Sequence, residues 1–326
     1  MGEPAGIGGE ITVMAWLRRA EALPPFFVID DADRLERLAG SLGLPVPVRR
    51  IEQPADAAPV FAGALPVLHR PLPCAPVAGR LDPANARAVI TAIEEAVALV
   101  RTGEAAAVVT NPIHKKALYG AGFAFPGHTE FLAALAGGSA RAVMMLAIPG
   151  LRVVPVTVHV PLRVAIASID AATIRATAEA VDAALRRDFA IPKPRLKIAG
   201  LNPHAGEDGA LGEEDAAIVA PAAAALRAAG IDADGPVPPD ALFTPRARDG
   251  YDAAICLYHD QALIPLKALD VDHGVNITLG LPFVRTSPDH GTAIDIAGTG
   301  VASPTSLMAA LTTAAGLARN RAAASP

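Results

Sequence analysis

Short apolar runs alternate along this chain with longer stretches whose apolar positions recur at helical spacing. That alternation predicts an α/β architecture with a largely parallel sheet. A glycine-rich loop, MGEPAGIGG (1–9), opens into an amphipathic helix predicted over 10–22. Residues 25–29 (PFFVI) read as a short buried strand and 32–42 as a helix. The proline-rich stretch 45–80 stays hydrophobic, which predicts short strands and loops rather than a disordered linker. Residues 85–101 have helical periodicity and stop before Gly103. An apolar strand at 105–109 then runs into TNPIHKKAL. GHTEF (127–131) starts a helix reaching Leu135. Strands are predicted at 143–148 and 153–159 around the turn dipeptide Pro149-Gly150. A helix capped by Asp170 should cover 170–189, followed by a strand at 196–201 leading into NPHAGEDG. The alanine-rich helix 213–229 should be kinked or restarted by Pro221. A proline-rich loop containing Asp240 precedes a strand at 253–257, and a helix over 302–322 starts at Ser303-Pro304. The periodicity does not give the strand order.

Composition narrows the class. The chain has 326 residues, 52% of them hydrophobic, which suits two domains or one large α/β unit. A formal net charge of −5 argues against a general nucleic-acid binder, which needs a basic face. Two cysteines, Cys74 and Cys256, cannot build a disulfide framework, so a reducing cytoplasm is expected. No apolar run approaches the roughly 18 residues of a membrane span, and no signal-peptide pattern opens the chain.

Candidate chemistry concentrates between Cys256 and Ser303, where histidines, a lysine, an asparagine and an arginine share a segment punctuated by Gly and Pro. Three histidines are expected at strand ends: His159 after VVPVTV, His204 after the strand ending LNP, and His259 after AAICLY. Ligands of open α/β sheets bind beyond the carboxyl ends of strands, and three imidazoles there suit a divalent metal with open positions. The alternative is that each is an ordinary histidine with a satisfied hydrogen bond, and the residues leave both readings open. Lys267, Asn276 and Arg285 suit a phosphate or carboxylate, and His128 and Thr129 stand at a helix start that favours an anion. His69, His114 and His273 are read as structural, and Cys256 as a core residue. A GxGxxG after a strand is absent, so no Rossmann fingerprint announces a nicotinamide cofactor. The loop at 1–9 is a weak anion signal and equally a structural turn.

Six segments together resemble the 4-hydroxythreonine-4-phosphate dehydrogenase family: GEPAGIG (2–8), TNPIHKKAL (110–118), GHTEF (127–131), LNPHAGE (201–207), YHDQALIPLK (258–267) and GVNITLGLPFVRTSPDHGTA (274–293). The resemblance spans essentially the whole chain. It implies the isocitrate/isopropylmalate dehydrogenase fold, two α/β/α domains with the active site in the cleft between them. The implied domains are 1–130 with 286–326, and a central domain 131–285 carrying the metal ligands and dimer interface. It further implies that His159, His204 and His259 bind one divalent metal (Zn, Mg or Co), and that His128, Thr129, Lys267, Asn276 and Arg285 contact substrate. NAD or NADP would lie on the loop 289–304, with His290, Gly291, Thr292, Ala293 and Asp295 as its contacts, which accounts for the missing Rossmann fingerprint. A homodimer is implied, with the site at the interface and His259 completing the neighbouring subunit's metal shell. Members carry a hydrophobic strand ahead of GEPAGIG, which implies a start upstream of Met1.

The implied reaction oxidises the C3 hydroxyl of 4-phosphooxy-L-threonine to a 3-oxo acid in pyridoxal 5'-phosphate biosynthesis. That β-keto acid then loses CO2 to give 3-amino-2-oxopropyl phosphate. Asp240 and Lys267 are the candidates for proton transfer. Three alternatives stay open: a dehydrogenase of a related four-carbon sugar-acid phosphate, a three-histidine metallohydrolase, and a non-catalytic phospho-ligand binder.

Overall fold

The computed structural model describes residues 1–125, 127–137 and 141–324. Two compact units emerge: Met1–Ala140 with Leu281–Ala318, and Arg141–Gly280 with Arg319–Pro326. Arg285 therefore belongs to the first unit, rather than to the central stretch where the sequence placed it.

The first unit begins with α1 (Gly8–Leu17), β1 (Val28–Asp30), α2 (Ala32–Ser41), β2 (Val48–Ile51), α3 (Ala57–Phe61) and β3 (Leu65–His69). The three strands form a parallel sheet in the order β1-β3-β2. Helix α1 is shorter than its periodicity suggested. Past Leu17 the Arg19 guanidinium lies 3.7 Å over the Trp16 ring and donates to the Ala62 carbonyl at 3.0 Å. Trp16 is buried among Val13, Leu35, Leu65 and Val67, and its indole N–H donates to the Phe61 carbonyl at 2.9 Å. Burying the ring satisfies its polar handle at the same time. Asp31 caps α2 by accepting the Arg34 N–H at 3.1 Å. Arg34 itself is buried, forks onto both Asp30 oxygens at 2.7 and 2.9 Å, and reaches the Pro4 carbonyl at 3.2 Å. That pair fixes the N-terminal loop against β1.

The chain continues through α4 (Ala86–Arg101), β4 (Ala107–Val109), α5 (Lys115–Tyr119) and α6 (His128–Leu135). Residues of β1 and β4 border an apolar cavity of about 350 Å³ beside Met1, lined also by Phe26, Ile93, Leu307 and Leu311.

The second unit contains β5 (Val143–Ile148), β6 (Leu151–Pro155), α7 (Leu162–Ser168), α8 (Ala171–Arg187), β7 (Arg195–Ala199) and α9 (Ala220–Ala228). It goes on with β8 (Asp232–Val237), α10 (Pro239–Leu242), α11 (Pro245–Arg248), β9 (Ala253–Cys256), α12 (His259–Leu269) and β10 (Val275–Leu279). Its strands run in the order β10-β5-β6-β9-β7-β8. The pairs β6-β9, β9-β7 and β7-β8 are parallel. The pairs β10-β5 and β5-β6 are antiparallel, the latter because Pro149-Gly150 makes a hairpin. Strand β9 is wholly buried because it has a neighbour on each side. β8 falls inside the stretch read from sequence as a proline-rich loop. Its DADGPV run carries polar residues because the strand lies at a sheet edge. Pro221 sits in the first turn of α9, so it restarts the helix after a π-helical turn at Asp215–Val219.

Back in the first unit, β11 (Val284–Pro288) pairs parallel with β4, and α13 (Thr305–Ala324) begins. Among the described residues no helix is long and apolar enough to cross a membrane. The fold class is mixed α/β with parallel pairing predominating.

Candidate active site

The second unit carries the histidines. Strands β6, β9 and β7 are consecutive neighbours in the sheet, all parallel, and the chain leaving their carboxyl ends bears His159, His259 and His204 respectively. β6 ends at Pro155, four residues earlier than expected for a strand running into His159. The following residues still track β9: Val156 donates its N–H to the Cys256 carbonyl, and the Thr157 hydroxyl donates to the Leu257 carbonyl at 2.8 Å. His159 and His259 consequently face each other with ring centroids 5.8 Å apart. His259 opens α12, and its Nδ1 lies 2.7 Å from an Asp260 carboxylate oxygen. A proton held there leaves Nε2 as the ligating nitrogen, the usual way a neighbouring carboxylate orients a metal-binding imidazole.

His204 sits differently. Residues His204, Ala205, Gly206, Glu207 and Asp208 all have left-handed φ, between 43 and 84°. Such a turn costs roughly 1–2 kcal/mol per non-glycine residue, so it needs outside support. Asp215, 1% exposed, supplies it by accepting the Leu201 and Asn202 N–H groups at 2.7 and 2.9 Å. Gly206 is required: a Cβ there would lie 2.8 Å from the Gly212 carbonyl. Gln261 joins the two loops. Its side-chain oxygen accepts the Leu257 N–H at 2.6 Å, and its amide donates to the Gly200 carbonyl at 2.7 Å. Neither Asp215 nor Gln261 was singled out from sequence; Gln261 lies within YHDQALIPLK and Asp215 outside all six segments. Among the described residues, no three His, Cys, Asp or Glu side chains of one chain gather into a metal-holding group. One chain thus brings together two of the three expected imidazoles. Imidazole nitrogens are donors that a divalent cation accepts.

The remaining second-unit candidates are dispersed. Asn276 lies on β10, and its Oδ1 is buried without a hydrogen-bond partner. Lys267 is exposed in the last turn of α12, and Asp240 is exposed in the first turn of α10.

The first unit holds a buried cationic group. Arg285 projects from β11 and is 3% exposed. Its Nη2 donates to the Thr110 hydroxyl at 2.6 Å, across 175 residues of sequence, just past the end of β4. Burial lowers the Arg285 pKa to about 10. His128, first residue of α6, has its Nε2 buried without a partner. Burial foremost, and then the Arg285 charge, hold its pKa well below the ordinary imidazole value. Lys115 adds a further positive charge felt by His128. Thr129 follows in the same first turn. A buried guanidinium and a partnerless imidazole nitrogen suit an anionic ligand, which would stabilise the cation and supply the missing hydrogen bond. Thr110 and Lys115 were missed as individual residues, although TNPIHKK at a strand end marked the place.

The loop 289–304 is also in the first unit. His290 Nε2 is buried without a partner, and Ala293 adopts left-handed φ ahead of a 3₁₀ turn at Ile294–Ile296. Gly291 and Asp295 are exposed, and Thr292 is half-buried. An orphaned imidazole nitrogen beside exposed glycine and carboxylate groups fits a polar ligand such as a dinucleotide. In the N-terminal glycine-rich segment, by contrast, four N–H groups have partners within the protein. Glu3 donates to Pro112, Ala5 and Gly6 to Glu3, and Ile7 to the Thr292 carbonyl. Residues 3–7 thus form a structural turn.

The family described as pyridoxal phosphate biosynthetic protein PdxA matches residues 22–314. The chain belongs to the PdxA family. Among its curated relatives, a 4-hydroxythreonine-4-phosphate dehydrogenase of Methylorubrum populi is 56% identical, over 98% of this chain and 93% of that protein. One of the same name from Bradyrhizobium diazoefficiens is 50% identical, over 98% and 95%. The crystal structure of 4-hydroxythreonine-4-phosphate dehydrogenase from Klebsiella pneumoniae superposes with a TM-score of 0.87 at 39% identity, covering 98% of both chains. A terephthalate 1,2-cis-dihydrodiol dehydrogenase from Burkholderia xenovorans is 30% identical, over 94% of this chain and 93% of its own, with a TM-score of 0.63. Relatives in this fold therefore carry dehydrogenase names for different substrates.

Proposed function

We propose that this PdxA-family protein oxidises 4-phosphooxy-L-threonine at its C3 hydroxyl, using NAD or NADP and a divalent metal (Zn, Mg or Co). The product, 2-amino-3-oxo-4-phosphooxybutanoate, is a β-keto acid and loses CO2 to give 3-amino-2-oxopropyl phosphate, for pyridoxal 5'-phosphate synthesis. The observation that carries the reading is the buried Arg285, hydrogen-bonded to Thr110 and adjoined by the partnerless Nε2 of His128. A phosphate would accept hydrogen bonds from both groups.

The roles follow from chemistry. Arg285, His128 and Thr129 hold the anionic end of the substrate, and Asn276 and Lys267 bind its other polar groups. Asp260 keeps the proton on His259 Nδ1, so that Nε2 remains a ligand. His159, His204 and His259 hold the cation in a cytoplasmic homodimer, with His259 completing the metal shell of the neighbouring subunit. When bound, the metal supplies Lewis acidity toward the oxidised hydroxyl and the nicotinamide supplies the hydride acceptor. Lys267 or Asp240 moves the hydroxyl proton; both are exposed to solvent, with which such a group must exchange protons. His290, Gly291, Thr292, Ala293 and Asp295 contact the dinucleotide.

The test is substrate selection by the purified protein with metal and either dinucleotide, following the absorbance of reduced nicotinamide. Turnover should be fastest with 4-phosphooxy-L-threonine, slower with four-carbon sugar-acid 4-phosphates, and absent with unphosphorylated 4-hydroxy-L-threonine. Faster oxidation of the sugar-acid phosphates would move the assignment to that substrate class. Phosphate release without nicotinamide reduction would make the protein a hydrolase.

A further inference from the structure

Glu10 has no place in the chemistry described above, yet it is a buried carboxylate aimed at the loop assigned to the dinucleotide. It stands in the first turn of α1, 1% exposed. Its two oxygens accept the backbone N–H groups of Gly298 and Gly300 at 2.8 and 2.7 Å, across nearly the whole length of the chain. Both glycines have left-handed φ, 77 and 79°, a backbone shape that points alternate N–H groups toward one acceptor. The same N-terminal segment holds the loop's other end. Ile7 donates its N–H to the Thr292 carbonyl at 3.0 Å. A Cβ on Gly6 would stand 2.7 Å from that carbonyl oxygen, so only glycine allows the approach. Between these two fastenings Ala293, Ile296 and Ala297 pack against Ile7 and Ile11.

We infer that Glu10 is a positioning residue for dinucleotide binding, fixing the loop 292–300 from beneath so that its outer face is already shaped before the cofactor arrives. The physical grounds are specific. A carboxylate accepting two N–H groups makes two charge-assisted hydrogen bonds, stronger than neutral ones. Exposed glycines would otherwise leave this stretch of backbone among the most freely moving in the protein. Ordering the loop in advance removes an entropy cost from binding. The inference rests on the reading of residues 290–295 as dinucleotide contacts.

The experiment compares wild type with Glu10→Gln, whose side chain has one acceptor oxygen instead of two, and with Gly300→Ala. The alanine variant disturbs the loop but leaves Glu10 and α1 intact; a Cβ at Gly300 has its nearest neighbour at 3.6 Å, so only the φ of +79° opposes it. Amide hydrogen exchange of the ligand-free protein reads the loop, and kinetics read the cofactor. Exchange at Gly298 and Gly300 should rise in both variants. KM for the dinucleotide should rise about 10-fold, the scale of one charge-assisted hydrogen bond. KM for the phosphorylated substrate and kcat at saturating dinucleotide should stay near wild type. Unchanged exchange in Glu10→Gln, or loosened exchange with an unchanged dinucleotide KM, overturns the inference. Absence of dinucleotide binding by the wild type itself would instead overturn the assignment of the loop, whatever the variants do.

Discussion

Arg285 is the residue on which the proposed substrate recognition turns. It is buried, its pKa is lowered to about 10 by that burial, and its neighbours include the hydroxyl of Thr110 and the imidazole of His128. Arg285→Ala should lower kcat/KM by about 10–100-fold, matching the roughly 1.5–3 kcal/mol of a hydrogen bond to a charged group. A second readout follows from the sign of the electrostatics. The Arg285 charge depresses the His128 pKa, so removing it must raise that pKa toward the ordinary value of about 6.5. Histidine titration by NMR would show the upward shift, and kinetics unchanged in the variant would remove Arg285 from the substrate shell. The folded-state pKa of His128 lies below its unfolded value, so the unfolded chain binds the extra proton. This residue therefore lowers stability as pH falls below about 6.5 and contributes no pH dependence above it. In the sequence Arg285 stood out as a cation in an apolar, Gly/Pro-punctuated stretch, and His128 as a residue at a helix start that favours an anion. Thr110 was not: its contact with Arg285 joins positions 175 apart, which no local pattern encodes.

At the scale of elements, buried side chains reinforce the loops carrying the histidines. The turn at 204–208 runs left-handed through four non-glycine residues, and Asp215 anchors the approach to it with two accepted N–H groups. Asp215→Asn keeps one acceptor and turns an N–H donor toward the other backbone N–H. It should cost about 1–3 kcal/mol, the penalty for a buried donor left unpaired, read as a lower urea midpoint. An unchanged midpoint would mean the turn is held elsewhere. The strands leading here were readable because apolar runs bounded by Gly, Pro and Asn mark them. The left-handed turn was not, because His, Ala, Glu and Asp carry no strong left-handed signal. Nor was β8, whose edge position lets it be polar and proline-containing. The antiparallel pairing of β10 with β5 was equally hidden, since a buried apolar run reads the same in either direction.

For the whole molecule, the proposed homodimer has a site completed by a second copy. Three neighbouring strands deliver three imidazoles, yet among the described residues one chain closes no three-donor group. Mixing inactive His204→Ala and His259→Ala proteins should then restore activity. Random reassociation gives about half mixed dimers, each with one of two sites intact, hence roughly a quarter of wild-type turnover. No recovery would place all the ligands in one chain. The reading of the chain as an oxidoreductase depends on the dinucleotide taking a hydride from C3. The most direct measurement uses 4-phosphooxy-L-threonine deuterated at C3, with metal and NAD or NADP, and analyses the reduced cofactor by mass spectrometry. Hydride transfer from C3 places the deuterium in the reduced nicotinamide, together with one CO2 per turnover. Turnover that leaves the cofactor oxidised, or a reduced cofactor free of deuterium, would contradict it.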